Sequence, residues 1–149
     1  MGGGTFDTAA VSLVDRRFEL LATEGIARLG GNDFDALIAE LALEAAGCTR
    51  ADLTDNSWAH LLERCRLAKE TLTPASRKLF VDVAELLPCG SVVIDVALLY
   101  EAAMPLVEQT VELMDRLFEE LVYHGVDPGN SRELGAVYLV GGSDEKRQR

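Results

Sequence analysis

The sequence contains few of the residues that build disulfide frameworks or metal centres. Only three of its 149 residues are cysteine and two are histidine. The odd number of thiols, and the absence of any C-x-x-C spacing among Cys48, Cys65 and Cys89, predict buried, reduced thiols in a cytosolic protein. Neither His60 nor His124 has a second ligand at metal spacing, so we set aside both zinc chemistry and a nucleophile–histidine triad.

Long apolar runs and excess positive charge are also missing. No run approaches the roughly 18 apolar residues of a membrane span, and the N-terminus has neither the basic nor the apolar region of a signal peptide. Lys and Arg number 14 against 25 Asp and Glu, which gives a net charge of -11. Because this balance repels phosphate backbones and anionic lipid, neither a nucleic acid nor a membrane surface is the expected partner. We expect a cytoplasmic protein.

The composition that remains is that of a folded chain. Apolar residues make up 48% of the sequence and charged residues 26%, which excludes disorder and low-complexity fibres. Alternating and β-branched segments predict two hairpins, the first turning at Asp15–Arg17 and the second at Pro88–Gly90. The predicted strands of the two hairpins are Thr5–Val14, Phe18–Thr23, Lys78–Leu87 and Ser91–Val96.

Apolar spacing predicts helices after each hairpin. The first runs from Phe34 to Ala45, with an N-cap offered by the Gly30–Asp33 segment and an end at Gly47. After a polar loop over residues 48–56, the second runs from Ser57 to Leu72, where Pro74 prevents continuation.

Helical spacing returns near Leu98 and continues to His124, with Gly125 as the cap. Within it, Pro105 either opens a new helix or kinks the existing one. The apolar run Ala136–Val140 is typical of a buried strand. The predicted fold class is α/β in the order ββαα-ββαα-β, with a strand at each end.

Three glycine-rich turns share one chemical character. They are Gly2-Gly3-Gly4-Thr5, Leu29-Gly30-Gly31-Asn32 and Val140-Gly141-Gly142-Ser143. Glycine allows close approach of the backbone to a ligand, so that successive N–H groups can point at an anion, and a following hydroxyl adds a donor. Paired glycines also make ordinary tight turns, so the pattern alone leaves open both a phosphate-binding and a purely structural interpretation.

Four segments carry a resemblance to one family. The string Gly2–Asp7 resembles the phosphate loop in the second lobe of heat-shock protein 70 chaperones, and Leu29–Asp35 resembles that family's LGGxDFD segment. Arg64–Thr73 is similar to its adenosine-side helix, CExAKxxLS, and Val140–Ser143 to its adenosine loop. The four motifs occur in the family's order and cover nearly the whole chain.

The resemblance implies the second lobe of an actin-like ATPase fold. Both chain ends, about 1–30 and 105–141, would form a lower subdomain, about 31–104 an upper α+β subdomain, and 142–149 a tail. In the family a first lobe lies upstream and a peptide-binding domain downstream. We therefore expect the chain to be a piece of a longer protein, inactive as an ATPase by itself.

The resemblance also implies ATP or ADP with magnesium as the cofactor. Two positions depart from the pattern: Arg66 replaces a usual glutamate, and Glu70 replaces an arginine whose guanidinium lies against adenine. This exchange indicates either altered base recognition or an ion pair swapped along one helix, since the two positions are i and i+4. The implied nucleotide-contacting residues are Gly2, Gly3, Gly4, Thr5, Gly31, Arg66, Lys69, Glu70, Thr73, Gly141, Gly142 and Ser143, with no catalytic residue and no metal ligand among them.

Three functions follow as hypotheses. The first is the nucleotide-binding lobe of a chaperone, whose partners in the longer protein would be co-chaperones, a nucleotide exchange factor and unfolded polypeptide. The second is a small-molecule kinase lobe of the same actin-like superfamily. The third is a non-catalytic module bound by an exchange factor through the exposed faces of residues 57–72 and 78–96.

Overall fold

The computed structural model describes residues 3–130 and 132–138. The chain divides into two compact units, one of Gly31–Pro105 and one of Met1–Gly30 with Leu106–Arg149. No helix among the described residues is long and apolar enough to cross a membrane. The elements in chain order are β1 (Phe6–Val14), β2 (Arg17–Ile26), α1 (Gly31–Ala46), a 3-10 turn (Arg50–Asp52), α2 (Asp55–Lys69), β3 (Lys78–Asp82), β4 (Ser91–Asp95) and α3 (Val96–Tyr123).

Strands β1 and β2 form the first predicted hairpin. They pair antiparallel from Phe6 opposite Ile26 to Val14 opposite Arg17. The turn has two residues rather than the predicted three, because Asp15 and Arg16 both take left-handed φ angles, 49° and 63°. Paired left-handed residues match the right-handed twist of the strands. Strand β2 therefore starts at Arg17 and continues beyond the predicted end at Thr23.

Helix α1 confirms the first predicted helix and its end. Gly47, at φ 68°, donates to the carbonyl of Glu44, and Cys48 donates to that of Leu43. These two bonds form the motif in which a glycine satisfies the last carbonyls of a helix. The start differs from the prediction, because the helix already begins at Gly31 and Asp33 lies inside its first turn. There its charge complements the helix dipole.

Helix α2 is displaced toward the N-terminus relative to its prediction. Thr54 caps it, since its hydroxyl accepts a hydrogen bond from Ser57 N at 3.1 Å. The helix ends at Lys69 and not at Leu72. Beyond Lys69, hydrogen bonds to the third preceding residue replace those to the fourth, as in the bond from Leu72 N to the carbonyl of Lys69. The chain has therefore already left the helix before Pro74.

Strands β3 and β4 confirm the second hairpin with a shorter first strand. They pair antiparallel from Lys78 opposite Asp95 to Asp82 opposite Ser91. Strand β3 ends at Asp82, five residues before the predicted end, because the chain turns where Leu86 N bonds the carbonyl of Val83. One face of the hairpin is buried and the other is exposed.

The core of the Gly31–Pro105 unit is formed by α1, α2, the β3–β4 hairpin and the first turn of α3. Apolar side chains at helical spacing on both helices meet the buried face of the hairpin, which is the expected burial for a helix-on-sheet layer. The core residues are Ile38, Ala39, Ala42, Leu43, Leu61, Cys65, Ala68, Leu79, Val81, Val83, Leu87, Val92, Ile94, Val96 and Leu99.

Helix α3 resolves the alternatives at Pro105. The helix begins two residues before the predicted Leu98 and runs through Pro105 to Tyr123, so the proline does not open a new helix. It ends at Tyr123, one residue before the predicted His124; Gly125, predicted as the cap, has φ 80° and donates to the carbonyl of Val122. In the other unit, Leu117 and Leu121 of α3 pack with Ala22 of β2.

The predicted strand Ala136–Val140 is wrong for the residues that the structure describes. Residues 136–138 have no strand assignment, and Val137 and Tyr138 are 60% and 86% exposed. An apolar run raises strand propensity, but a strand also needs a neighbouring edge. Among the described strands, β1 and β2 pair only with each other. The observed order within 3–138 is therefore ββαα-ββα; residues 139–140 lie outside the described range.

Candidate functional site

The predicted contact residues that the structure describes lie in three parts of the chain. Gly3, Gly4 and Thr5 precede β1, and Gly31 begins α1. The remainder lie on or just after the C-terminal part of α2, at Arg66, Lys69, Glu70 and Thr73. Gly2, Gly141, Gly142 and Ser143 lie outside the described residues.

The segment before β1 is an exposed bend. Gly3, Gly4 and Thr5 are all exposed, so their backbone is open to solvent. The Thr5 hydroxyl donates to Asp7 Oδ2 at 2.8 Å. This bond holds the hydroxyl close to a carboxylate, and it would have to open or be shared for Thr5 to contact an anion directly. The two glycines can adopt the backbone conformations that an anion-binding turn requires.

Lys69 lies between α2 and the first turn of α1. Its ammonium Nζ donates to the carbonyl of Gly31 at 2.7 Å and lies 2.7 Å from Oδ1 of Asp35. The Asp35 side chain is 7% exposed, and that of Lys69 is 26% exposed. The structure thus brings the predicted residues Gly31 and Lys69 together, with a buried carboxylate that the sequence interpretation had missed.

Cys65 lies one helical turn before Lys69 and is fully buried. Burial raises the pKa of its thiol from 9.0 to about 12, and the nearby charge of Asp35 adds to the effect. The prediction of a buried thiol is confirmed for this residue and is wrong for Cys48 and Cys89, which are only half-buried; all three cysteines are free. A thiol with this pKa stays protonated at neutral pH and is a poor nucleophile.

Arg66 is bracketed by two carboxylates of its own helix. Its guanidinium contacts Glu63 at 2.6 and 2.9 Å and Glu70 Oε1 at 2.7 Å. Hydrogen bonding to Glu63 raises the pKa of Arg66, and the same bond lowers the pKa of the Glu63 carboxyl. The swapped ion pair is therefore the observed arrangement of Arg66 and Glu70. It occupies the guanidinium, while the network stays exposed to solvent.

Thr73 belongs to the turn that follows α2. Its backbone N–H donates to Ser76 Oγ at 3.0 Å, and the two hydroxyl oxygens lie 3.1 Å apart. Both residues are close to the surface. A hydroxyl pair of this kind can exchange partners at little cost and remains available to a polar ligand.

Sequence reasoning missed Asp35, and a signal for it was present. Asp35 stands within the apolar stripe that carries Phe34, Leu37 and Ile38, on a helix whose polar residues otherwise face water. A carboxylate on a core-facing position needs a cation to compensate its burial. The sequence pattern assigns its partner, Lys69, to contact with a ligand and gives no sign of this ion pair. No group of three metal-ligating side chains occurs among residues 3–130 and 132–138.

Comparison with known proteins assigns the chain to a family. The protein-family model described as Hsp70 protein matches residues 1–145. The chain belongs to the Hsp70 family. Within that family, it is 36% identical over 144 residues to a chaperone protein HscA homolog of Azotobacter vinelandii, covering 96% of this chain. A homolog with the same description from Pseudomonas fluorescens strain SBW25 is 35% identical over 152 residues, again 96% of the chain.

A third Hsp70-family relative matches a shorter segment. The HscA homolog of Paracidovorax citrulli is 41% identical over 80 residues, covering 54% of this chain. The chain spans 21% of the length of the Azotobacter and Pseudomonas relatives, about a fifth of each. Its mixed α/β elements are compatible with a fragment of the nucleotide-binding domain of an Hsp70 protein.

Proposed function

We propose that this Hsp70-family chain is part of the ATP-binding domain of a chaperone. In the proposal, it supplies the adenosine side of the site and one phosphate loop. The unit Gly31–Pro105 corresponds to the upper subdomain of an actin-like second lobe. The unit of Met1–Gly30 with Leu106–Arg149 corresponds to the lower subdomain. Co-chaperones, an exchange factor and unfolded polypeptide are partners of the longer protein.

The arrangement on α2 carries the proposal. Arg66, Lys69 and Glu70 follow i, i+3 and i+4 spacing at the C-terminal end of the helix, and Thr73 lies in the turn that follows it. These positions offer a guanidinium, an ammonium, a carboxylate and a hydroxyl, a donor-rich set suited to the polar edges of a nucleoside. Helix α2 is anchored in the core by the buried residues Cys65 and Leu61, about one and two turns before Lys69.

The described residues fit a nucleotide better than they fit a free metal ion. Exposed backbone at Gly3 and Gly4 suits an anionic oxygen, and the partly exposed ammonium of Lys69 suits a polar ligand atom. No group of three metal ligands occurs among the described residues, and in the proposal magnesium accompanies the nucleotide. ATP would supply the phosphoryl group; the α2 residues would contact its sugar, and the glycine segment its phosphates.

An interaction surface is a second candidate function for the same chain. Phe80 of β3 pairs with Val93 of β4, and both lie on the outer face of the hairpin, 66% and 43% exposed. Contiguous exposed apolar patches are typical of contact sites for other proteins, and we take this pair as part of one. This pair favours the module bound by an exchange factor. No observation favours the small-molecule kinase lobe.

Titration of the chain with ADP, followed by backbone amide signals in NMR spectra, tests nucleotide binding. We expect a dissociation constant weaker than about 100 μM, which corresponds to roughly −5.5 kcal/mol. The net charge of -11 opposes a polyanion. Signals of residues 3–5 and 66–73 should move most.

Separate titrations with adenosine and with inorganic pyrophosphate test the nucleoside and phosphate contacts one at a time. Adenosine should move signals of α2 alone, and pyrophosphate should move signals of the glycine segment alone. A Phe80→Ser variant is the matched control, because it alters the outer hairpin face and leaves both groups intact. Nucleotide shifts confined to other parts of the chain, or no shift at millimolar ADP, would contradict the proposal.

A further inference from the structure

Asp35 is the one charged side chain that is buried among the described residues. It lies in the second turn of α1, where the same helix face carries core residues Ile38 and Ala39. Burying a carboxylate without compensation costs several kcal/mol, so a position of this kind is held only by a close opposite charge. That charge is Lys69, whose ammonium lies 2.7 Å from Asp35 Oδ1.

The ammonium of Lys69 contacts two groups of α1 and is open to solvent on its remaining side. It donates a hydrogen bond to the carbonyl of Gly31 and contacts Asp35 ionically. Oδ1 of Asp35 accepts no hydrogen bond of good geometry from any described residue, so this contact is held by charge, and at 2.7 Å it occupies a second side of the ammonium. An ammonium has three N–H donors. With about a quarter of the side chain exposed, a third donor remains accessible from solvent.

The charge balance around Lys69 determines which ligand group suits that third donor. Asp35 neutralises the ammonium at contact distance, and the nearby network of Arg66 with Glu63 and Glu70 carries one more negative than positive charge. A phosphate approaching Lys69 therefore meets no net positive charge. A neutral acceptor, such as a sugar hydroxyl, can accept the hydrogen bond without that electrostatic cost.

We propose that Asp35 is a positioning residue of the nucleoside site. It holds Lys69 at the first turn of α1, and by neutralising the ammonium it directs Lys69 to hydroxyl groups of the ligand and away from phosphate. This inference rests on the proposed function, because it assumes that α2 faces the nucleoside. It assigns Asp35 a role in selecting the ligand group in addition to its role in the fold.

The side-chain nitrogen signals of lysine give a direct readout. The chain has only three lysines, at positions 69, 78 and 146, so the ¹⁵N signals of their ammonium groups can be assigned by substitution. Wild type, Asp35→Asn and the matched control Glu40→Gln, an exposed carboxylate on the same helix, are each titrated with adenosine and with pyrophosphate. Circular dichroism verifies that each variant is folded.

In the wild type and in Glu40→Gln, adenosine should shift the Lys69 signal and pyrophosphate should not. In Asp35→Asn, adenosine binding should weaken about tenfold, the equivalent of one decade in the dissociation constant, and pyrophosphate should now shift Lys69. Asp35→Glu, which keeps the charge, should retain the wild-type preference. This conservative variant tests the charge effect even where the asparagine variant fails to fold.

Two results would overturn the inference. One is a Lys69 shift with pyrophosphate in the wild type, which needs no variant at all. The other is an unchanged ligand preference in folded Asp35→Asn. Either result is compatible with nucleotide binding. By contrast, ADP that moves no signal on α2 in the wild type would contradict the proposed function first, so the two failures are distinguishable.

Discussion

Arg66 and Glu70 form an ion pair along one face of α2, with Nη1 of the guanidinium 2.7 Å from Oε1 of the carboxylate. In the family pattern, the acidic residue comes first and the arginine comes second. The exchange keeps the pair and reverses its direction. It also places a carboxylate at the end of the helix, where the helix dipole favours a cation. The exchange is therefore slightly unfavourable for the electrostatics of the helix end. Any advantage of the exchange has to come from ligand recognition.

The variant Glu70→Arg tests whether position 70 faces the base. If it does, a planar cation against adenine should tighten ADP binding by about 0.5–2 kcal/mol. Loss of the solvent-exposed pair with Arg66 should change the free energy of unfolding only slightly, because solvent screens it. Calorimetric titration with ADP and a urea denaturation curve measure the two quantities separately.

Glu63→Arg is the control for that experiment. It makes the same change of charge, from −1 to +1, on the other side of Arg66, whose guanidinium contacts both residues. Its effect on ADP binding reports the change in net charge alone. Equal tightening in Glu63→Arg and Glu70→Arg would show that charge, and not contact with the base, is responsible.

The pair of Lys69 and Asp35 should behave differently from the exposed network, because Asp35 is buried. Replacing Lys69 by Met leaves a carboxylate without its counter-charge and should destabilise the fold by about 3–5 kcal/mol. The double variant Asp35→Asn with Lys69→Met should recover most of that loss, since neither charge then remains. Urea denaturation of the wild type, both single variants and the double variant completes the cycle.

A double variant whose loss of stability is close to the sum of the two single losses would contradict this coupling. Arg66→Met gives the comparison for an exposed pair on the same helix, where we expect a loss below about 1 kcal/mol. Domains of ordinary stability have a free energy of unfolding of about 5–15 kcal/mol. We therefore expect Lys69→Met to remain folded at room temperature, with a much lower urea midpoint.

Local patterns predicted the elements well, and the pairings across elements less well. The apolar stripe of α1 and the glycine after it were sufficient for the helix and its end, because both depend on neighbours in sequence. Lys69 contacts Asp35 from 34 positions away, and no spacing rule reaches that far. The run at 136–138 shows the same limit, since its strand pattern is local but a strand needs an edge elsewhere.

Replacement of the glycine after α1 should lower stability, and a second glycine of the chain serves as the control. Gly47 has φ 68°, and a Cβ there would have no neighbour within 4 Å, so only backbone strain opposes alanine. Gly47→Ala should cost about 1 kcal/mol. Gly90→Ala also meets open space but has no left-handed φ, and it should leave stability nearly unchanged. Thermal unfolding of both variants tests this, and equal losses would contradict it.

The buried thiol of Cys65 predicts how stability changes at alkaline pH. Its pKa is raised from 9.0 to about 12 in the folded chain, first by burial and then by Asp35. The unfolded chain therefore loses the thiol proton at lower pH than the folded chain does. This contribution to stability is complete below pH 9.0, and it is lost as the pH rises from there toward about 12.

The alkaline loss should be visible as a difference between wild type and Cys65→Ala. Other groups also titrate in this range, and the difference removes their common effect. The alanine variant starts less stable, because it leaves a small cavity, and its stability should fall less steeply above pH 9.0. Asp35→Asn should lower the pKa of Cys65, so the loss of stability between neutral and alkaline pH should be smaller in this variant than in the wild type. Chemical denaturation at several pH values measures both, and parallel curves for wild type and Cys65→Ala would show that Cys65 does not carry the effect.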